Sequence, residues 1–457
     1  MTQDLRRCAL FIFVFLLSLT SGDAAAQTQK PFVLLISIDG LRPDNVLRAD
    51  ELGLKIPNLR RFVVDGAYAT GVTGVLPTVT YPSHTTLLTG VAPAVHGIIA
   101  NTTFDPLNKN YGGWYWYAED IKAPTLWDYA AKNNISTANV YWPVTVGANI
   151  TYNISQMWRS GTDDDRKLQR SVSTPWLLES LEKEMATQFP LGSDESIEAD
   201  ETRARFAELL LREKNPGFMT VYLTALDHIE HETAPFSKES LAVLERLDTV
   251  IGDLRHAAEA RGPAVVCLVS DHGFAKTDKE LNLNSALRQA GLIELNPDGS
   301  VKSWRASAWL AGGSAAIMLK DPGDNDARAK VRQLLDQMLA DPDGGIARAL
   351  EPAEFKSTGG FPDAAFVVGL KLGFQLGPKF DGPVVAPRKL GGMHGYLPET
   401  PEMRSSFFLV GPGIQRGVSL GTIDMRDIAP TLADSLGFSL KTKGRSLVRQ
   451  IASLSAR

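Results

Sequence analysis

Phe32-Val33-Leu34-Leu35-Ile36-Ser37-Ile38-Asp39-Gly40 is the stretch on which the fold turns. Its residues are almost uniformly apolar, without the alternation that gives a strand one wet face. A run of this kind, ended by an acid and a glycine, predicts a strand buried on both faces of a sheet. The same form returns at Phe218-Met219-Thr220-Val221-Tyr222-Leu223, followed by Asp227, and at residues 265–269, followed by Ser270-Asp271-His272-Gly273. It returns again at residues 406–410, before Gly411-Pro412-Gly413. Helical spacing fills the intervals, as in 240–258 with Leu241, Leu244, Leu247, Ile251 and Leu254. Strands alternating with helices predict an α/β fold with a mostly parallel central sheet covered on both faces.

In such sheets, sites form beyond the carboxyl ends of the strands. Asp39, Asp227 and the Asp271-His272 pair each stand just past one of these runs, so groups far apart in sequence are expected to meet at one rim. Residues 281–390 break the alternation with turn-rich sequence around a helical middle at 326–340. We expect them to form an inserted cap subdomain, leaving 27–280 and 391–457 as the catalytic core. Residues 101–160 are rich in aromatics, including Trp114-Tyr115-Trp116-Tyr117, and either line a pocket mouth or pack as an edge hairpin.

The N-terminus reads as an export signal over residues 1–26. Arg6 and Arg7 precede an apolar run at 9–19, and Ala24-Ala25-Ala26 follows as a cleavage site. The run is shorter than the ~20 residues that span a bilayer, so cleavage rather than anchoring is expected, with a secreted or periplasmic product. Cys8 lies in this segment. Cys267 is then the lone cysteine of the remainder, without a disulfide partner and in an apolar run that predicts core packing.

The 457 residues are 44% hydrophobic and 22% charged, the composition of a globular protein rather than a disordered or fibrous one. A formal net charge of -5 gives no basic field for an extended nucleic acid. A small phosphorylated partner stays compatible, because bound metal ions supply local positive charge.

Four features carry the chemistry. Thr80-Tyr81-Pro82-Ser83-His84 opens a helix-like stretch, where free N–H groups and the helix dipole favour an anion and a metal-held hydroxyl becomes a nucleophile. Asp227-His228-Ile229-Glu230-His231 offers Asp and His on one helical face, with either histidine as partner. Asp271-His272 ends a strand, and His394 sits in Gly391-Gly392-Met393-His394-Gly395, whose glycines permit close backbone approach. Together these oxygen and nitrogen donors suit zinc and divide into two sites. Two metals about 4 Å apart stabilise both the attacking and the leaving oxygen of an in-line phosphoryl displacement.

With these motifs in order, the chain resembles the nucleotide pyrophosphatase/phosphodiesterase family of the alkaline phosphatase superfamily. The resemblance runs from Asp39 through the Thr80–His84 motif, Thr89-Gly90-Val91-Ala92-Pro93-Ala94-Val95-His96-Gly97-Ile98, Asp227 to His231, Asp271-His272-Gly273 and His394-Gly395. It continues to Asp427-Ile428-Ala429-Pro430-Thr431. It implies an alkaline-phosphatase-like three-layer sandwich with a smaller inserted cap. It implies two zinc ions, one held by Asp39, Thr80, Asp271 and His272 and the other by Asp227, His231 and His394. It also implies that Asn101, with the nucleophile's backbone N–H, stabilises a phosphoryl oxygen, and that Tyr81 and Tyr222 are candidates to stack on a nucleoside base. The reaction it implies is attack by zinc-held Thr80 on phosphorus, followed by hydrolysis of a phospho-threonine intermediate. Phosphodiesters and phosphoanhydrides are its substrates.

Two residues depart from the family pattern. Glu230 stands where the family commonly has glycine, adding negative charge near a metal, and Ser83 stands where it often has asparagine. A related phosphomonoesterase with a threonine nucleophile is the nearest alternative. Such enzymes resemble this chain but carry a Lys-x-Arg pair, which is missing between Asn101 and Asp227, where Arg159 is the residue to watch. A sulfatase would need a modification motif the chain lacks. A non-catalytic zinc- or phosphate-binding protein would be expected to have lost Thr80 or a ligand, and none is lost.

Overall fold

The computed structural model describes residues 31–110 and 113–452. The export signal expected over 1–26 lies outside the described residues.

Eight strands make the principal sheet: β1 (Phe32–Ile38), β2 (Ala67–Tyr68), β3 (Thr137–Val140), β4 (Tyr152–Ile154), β5 (Phe218–Leu223), β6 (Ala264–Val269), β7 (Phe407–Val410) and β8 (Val418–Ser419). Their spatial order is β8-β2-β7-β6-β1-β5-β3-β4. β1 runs parallel to both neighbours, pairing Ile36 with Val221 of β5 and with Leu268 of β6. β3 is parallel to β5 and β4, whereas β7 is antiparallel to β6 and β2. The sheet is therefore mixed but mostly parallel. Every residue of β1, β5 and β6 is buried, as uninterrupted apolar runs require.

Helices cover the sheet. Those that matter most to the site are α1 (Thr80–Thr89), α2 (Ile197–Lys214), α3 (Ala225–Thr233) and α4 (Lys238–Glu259). Ser196 and Ser237 cap α2 and α4 by accepting the amide hydrogens of Ala199 and Ser240. Cys267 is buried at the centre of β6, and burial pushes its thiol far above the ordinary range. Among the described residues, no helix is long and apolar enough to cross a membrane.

A second core draws on residues from Ala275 to Met403. It holds a four-stranded antiparallel sheet, in the order Ala306–Ala311, Ser314–Leu319, Phe366–Leu370 and Ile346–Leu350, with the helix Asn325–Ala340 against it. Strand Ala275–Leu281 pairs with Val385–Met393, so the limits expected at 281 and 390 fall inside a hydrogen-bonded ladder. The second of these strands delivers His394.

Candidate active site

The adjacent parallel strands β6, β1 and β5 deliver the charged groups. Asp39 follows β1 directly, Asp271 and His272 follow β6 after Ser270, and Asp227 lies in the first turn of α3, which Thr224 joins to β5. His231 is one helical turn further along α3. His394 arrives from the second core, just past Met393. A side chain on Gly395 would meet the Ala311 carbonyl oxygen at 2.0 Å, and one on Gly391 the His231 carbonyl oxygen at 2.3 Å. Glycine at these places is what lets the histidine loop come so close.

The side chains converge in two overlapping groups, Asp227–His231–His394 and Asp39–Asp227–His272, each with donor atoms within 4.8 Å of one another. His231 Nε2 is 3.3 Å from Asp227 Oδ2, and His394 Nε2 is 3.7 Å from Asp227 Oδ1. His272 Nε2 is 3.3 Å from Asp39 Oδ1 and 3.1 Å from Asp271 Oδ2. Of the two histidines on α3, His231 faces Asp227, whereas His228 lies beside Glu195, at 3.3 Å.

Each of the three inward histidines has its Nδ1 at a backbone carbonyl: Gly392 for His231, Gly273 for His272 and Thr78 for His394, at 3.2, 3.2 and 3.3 Å. A carbonyl can only accept, so Nδ1 carries the hydrogen and Nε2 presents its lone pair to the carboxylates. This is the arrangement that orients imidazole toward a metal.

The electrostatics agree. Burial first, then the charges of Asp227 and Asp271, push the Asp39 carboxyl well above the usual carboxylate range. Burial raises Asp271 to about 7. For Asp227 burial acts upward too, but His231, His394 and His272 hold it below the usual range. Burial also lowers His394 to about 4. Asp39 Oδ1, Asp227 Oδ1, Asp271 Oδ2 and His272 Nε2 are buried without a hydrogen-bond partner. Each such orphan costs about 1–3 kcal/mol. Divalent cations at the two groups would satisfy Asp39 Oδ1, Asp227 Oδ1 and His272 Nε2, with Asp271 Oδ2 3.1 Å from the last of these, and a mixed imidazole–carboxylate set fits zinc.

Thr80 is the first residue of α1 and is 7% exposed. Its carbonyl accepts from His84 Nδ1 at 2.8 Å, and that nitrogen is 3.6 Å from Asp271 Oδ2. His84 Nε2 meets Ser37 Oγ at 2.9 Å, and burial lowers the imidazole to about 3, so the ring is a neutral strut between α1 and β1. Asn101 comes to the same place: its Oδ1 accepts the Tyr81 amide hydrogen at 2.9 Å.

The two tyrosines expected to stack on a base do not offer a free ring. Tyr222 is 3% exposed, lies between His84 and Tyr141, and donates its hydroxyl hydrogen to Asp39 Oδ2. It supports the site from beneath. Tyr81 is 1% exposed and donates to Gln156 Oε1 at 2.7 Å. Trp114 and Trp116 pack on its ring, with centroids at 5.2 and 6.1 Å, and Trp158 packs on both tryptophans. Trp114 and Trp158 are half-buried, so the aromatic run forms the outer part of a cluster rooted on Tyr81. Trp158 falls at the far end of the aromatic-rich stretch 101–160, and its sequence position does not show that it meets Trp114.

Glu230 is fully buried with both carboxylate oxygens unpartnered. Burial, followed by the charge of Asp227, pushes it well above the usual range. Arg159 is exposed, on a loop whose amides are held by Asp165.

The fold, with these groups on one rim, is that of the alkaline phosphatase superfamily. Residues 33–396 match the model of the type I phosphodiesterase / nucleotide pyrophosphatase family, and the chain belongs to that family. It is similar to bis(5′-adenosyl)-triphosphatase ENPP4 of Homo sapiens, 25% identical over 295 residues, which cover 61% of this chain and 56% of that protein. An uncharacterized pyrophosphatase/phosphodiesterase, C725.05c, of Schizosaccharomyces pombe is 27% identical over 256 residues, covering 54% and 45%. The chain thus spans about half the length of the curated relatives it matches. Among solved structures, human ectonucleotide pyrophosphatase / phosphodiesterase 5 superposes with a TM-score of 0.66 at 19% identity, covering 92% of this chain and 100% of that one. An inactive murine form of the same protein, in complex with AMP, gives 0.65 at 20% identity, covering 93% and 100%.

Proposed function

We propose that this protein is an exported, two-zinc phosphodiesterase/nucleotide pyrophosphatase that works through a phospho-threonine intermediate on Thr80. The observation that carries this reading is the pair of ligand groups sharing Asp227, with their unpartnered buried atoms, beside the first turn of α1. Asp39, Asp271 and His272 with Thr80 would hold one zinc, and Asp227, His231 and His394 the other. When bound, the ions supply Lewis-acid stabilisation of the oxygens on phosphorus and lower the pKa of coordinated hydroxyl groups.

The chain's own residues do the rest. Thr80 Oγ1 gives up its proton to solvent and attacks phosphorus. The new O–P bond forms as the bond to the leaving oxygen breaks, and that oxygen is protonated from solvent. Water then cleaves the phospho-threonine, returning a hydrogen to Thr80 Oγ1. Because Asn101 Oδ1 is occupied by the Tyr81 amide, its Nδ2 hydrogens are the donors left for a phosphoryl oxygen. The Thr80 backbone N–H, at the positive end of α1, adds to the same field. The names of the relatives point to a nucleotide ester or anhydride, and the half-buried rings of Trp114 and Trp158 are the surfaces on which a base would rest. The segment before β1 supports export.

Turnover of zinc-loaded protein on bis-p-nitrophenyl phosphate, thymidine 5′-p-nitrophenyl phosphate and p-nitrophenyl phosphate tests the substrate class. Diesters are expected to be strongly preferred. A preference for the monoester would overturn the diester reading in favour of a phosphomonoesterase.

A further inference from the structure

We propose that Arg203 is a positioning residue: from inside α2 it braces the supports of both metal-ligand groups. The inference rests on the metal reading of the site given above.

Arg203 is 0% exposed, an unusual fate for a guanidinium. One of its nitrogens donates to Asp200 Oδ1 at 2.8 Å and to Thr224 Oγ1 at 3.1 Å. The other donates to the carbonyl oxygens of Asp194 and Leu191. The guanidinium carbon sits 4.0 Å from the centroid of the Tyr141 ring.

From this node two arms reach the site. In the first, Asp200 Oδ2 accepts the amide hydrogens of Thr224 and Ala225, each at 2.8 Å. Those amides open α3, which has no cap from its own N-cap side chain. A carboxylate from α2 thus caps α3 across a helix–helix interface, and Asp227 lies in the turn it fixes. Burial pushes the Asp200 carboxyl up to about 6, with the charge of Arg203 acting against it, so the pair is ionised at neutral pH. In the second arm, Tyr141 stacks on Tyr222 with centroids 6.1 Å apart and planes 11° apart. Tyr222 in turn donates to Asp39.

Buried ion pairs are weak contributors to net stability, because desolvation offsets the attraction between the partners. Specificity of arrangement is the better reason for this one. Asp227 and Asp39 must hold their places against mutual repulsion before a cation arrives, and both are tied back to Arg203.

The test titrates Zn2+ alone into the metal-free parent and into Arg203→Met, Arg203→Lys and Asp200→Asn, in competition with a chromophoric chelator. Urea unfolding of each metal-free protein is measured in parallel. Arg203→Met and Asp200→Asn are expected to weaken zinc binding by about 10-fold or more, the range seen when residues behind a metal ligand are removed. Arg203→Lys, which keeps the charge, is expected to recover part of the loss. Asp200→Asn keeps shape and one acceptor, so its zinc affinity decides the matter even if Arg203→Met does not fold. Zinc affinities of the folded variants within two-fold of the parent, with only the unfolding midpoint shifted, would overturn the proposal. A parent that binds no zinc would overturn both this proposal and the metal reading beneath it.

Discussion

Asn101 holds the amide of Tyr81, the residue next to Thr80, through a 2.9 Å hydrogen bond to Oδ1. The bond fixes which end of the amide faces the reaction, leaving its NH2 as the donor for charge that develops on phosphorus. Asn101→Ala is expected to lower kcat by about 10²–10³-fold, the effect of deleting a preorganised donor. Zinc affinity should be unchanged. Steady-state kinetics beside a zinc titration checks both halves.

Asp227 stands in both ligand groups, facing His231 through Oδ2 and His394 through Oδ1. Asp227→Ala should therefore remove a ligand of the zinc held with His231 and His394 and, through its closeness to Asp39 and His272, weaken the neighbouring zinc to a lesser degree, whereas His231→Ala should weaken the first alone. Metal content after gel filtration, read by elemental analysis, separates the two outcomes.

Trp158 and Tyr222 make opposite predictions about substrate. Trp158→Ala removes an accessible ring and should raise KM for the thymidine ester several-fold while sparing bis-p-nitrophenyl phosphate. Tyr222→Phe removes only the hydroxyl bound to Asp39 and should affect both esters alike. Comparing kcat/KM for the two substrates in each variant distinguishes these roles.

His96 supplies a pH prediction away from the ligands. Its Nε2 meets Thr86 Oγ1 at 3.1 Å, its Nδ1 accepts from the Ile98 amide at 3.2 Å, and burial lowers it to about 3 from an ordinary value of 6.5. The unfolded chain binds the proton more tightly, so stability contributed by this residue is present above pH 6.5 and is lost as pH falls from there toward 3. The slope is at most about 1.4 kcal/mol per pH unit. His96→Gln should flatten the acid limb of the unfolding free energy by that amount within this window, as read by urea titrations at stepped pH.

Much of this was legible from the sequence alone, for a physical reason. Buried parallel strands announce themselves locally, and the residues just past β1, β5 and β6 must lie at one rim, so Asp39, Asp227, Asp271 and His272 could be brought together from the sequence. Other features are decided by packing across the chain. Asp200 and Arg203, three apart on α2, read as an ordinary surface pair; only the placement of α2 against Thr224 and Tyr141 buries them. Tyr222 belongs to a strand buried on both faces, where alternation does not say which side chain meets a neighbour's carboxylate. Glu230 looks like a charge on a helix, yet Gly392 of the strand that delivers His394 lies against its carbonyl. Trp158 is remote in sequence from Trp114 and joins it only through the fold.

The stereochemical course at phosphorus tests Thr80 as nucleophile most directly. The measurement is hydrolysis of a P-chiral phosphorothioate diester in ¹⁸O-water by the zinc-loaded protein. Two successive in-line displacements, first by Thr80 and then by water, predict net retention of configuration. Net inversion would mean that water attacks the substrate directly and would contradict the phospho-threonine account.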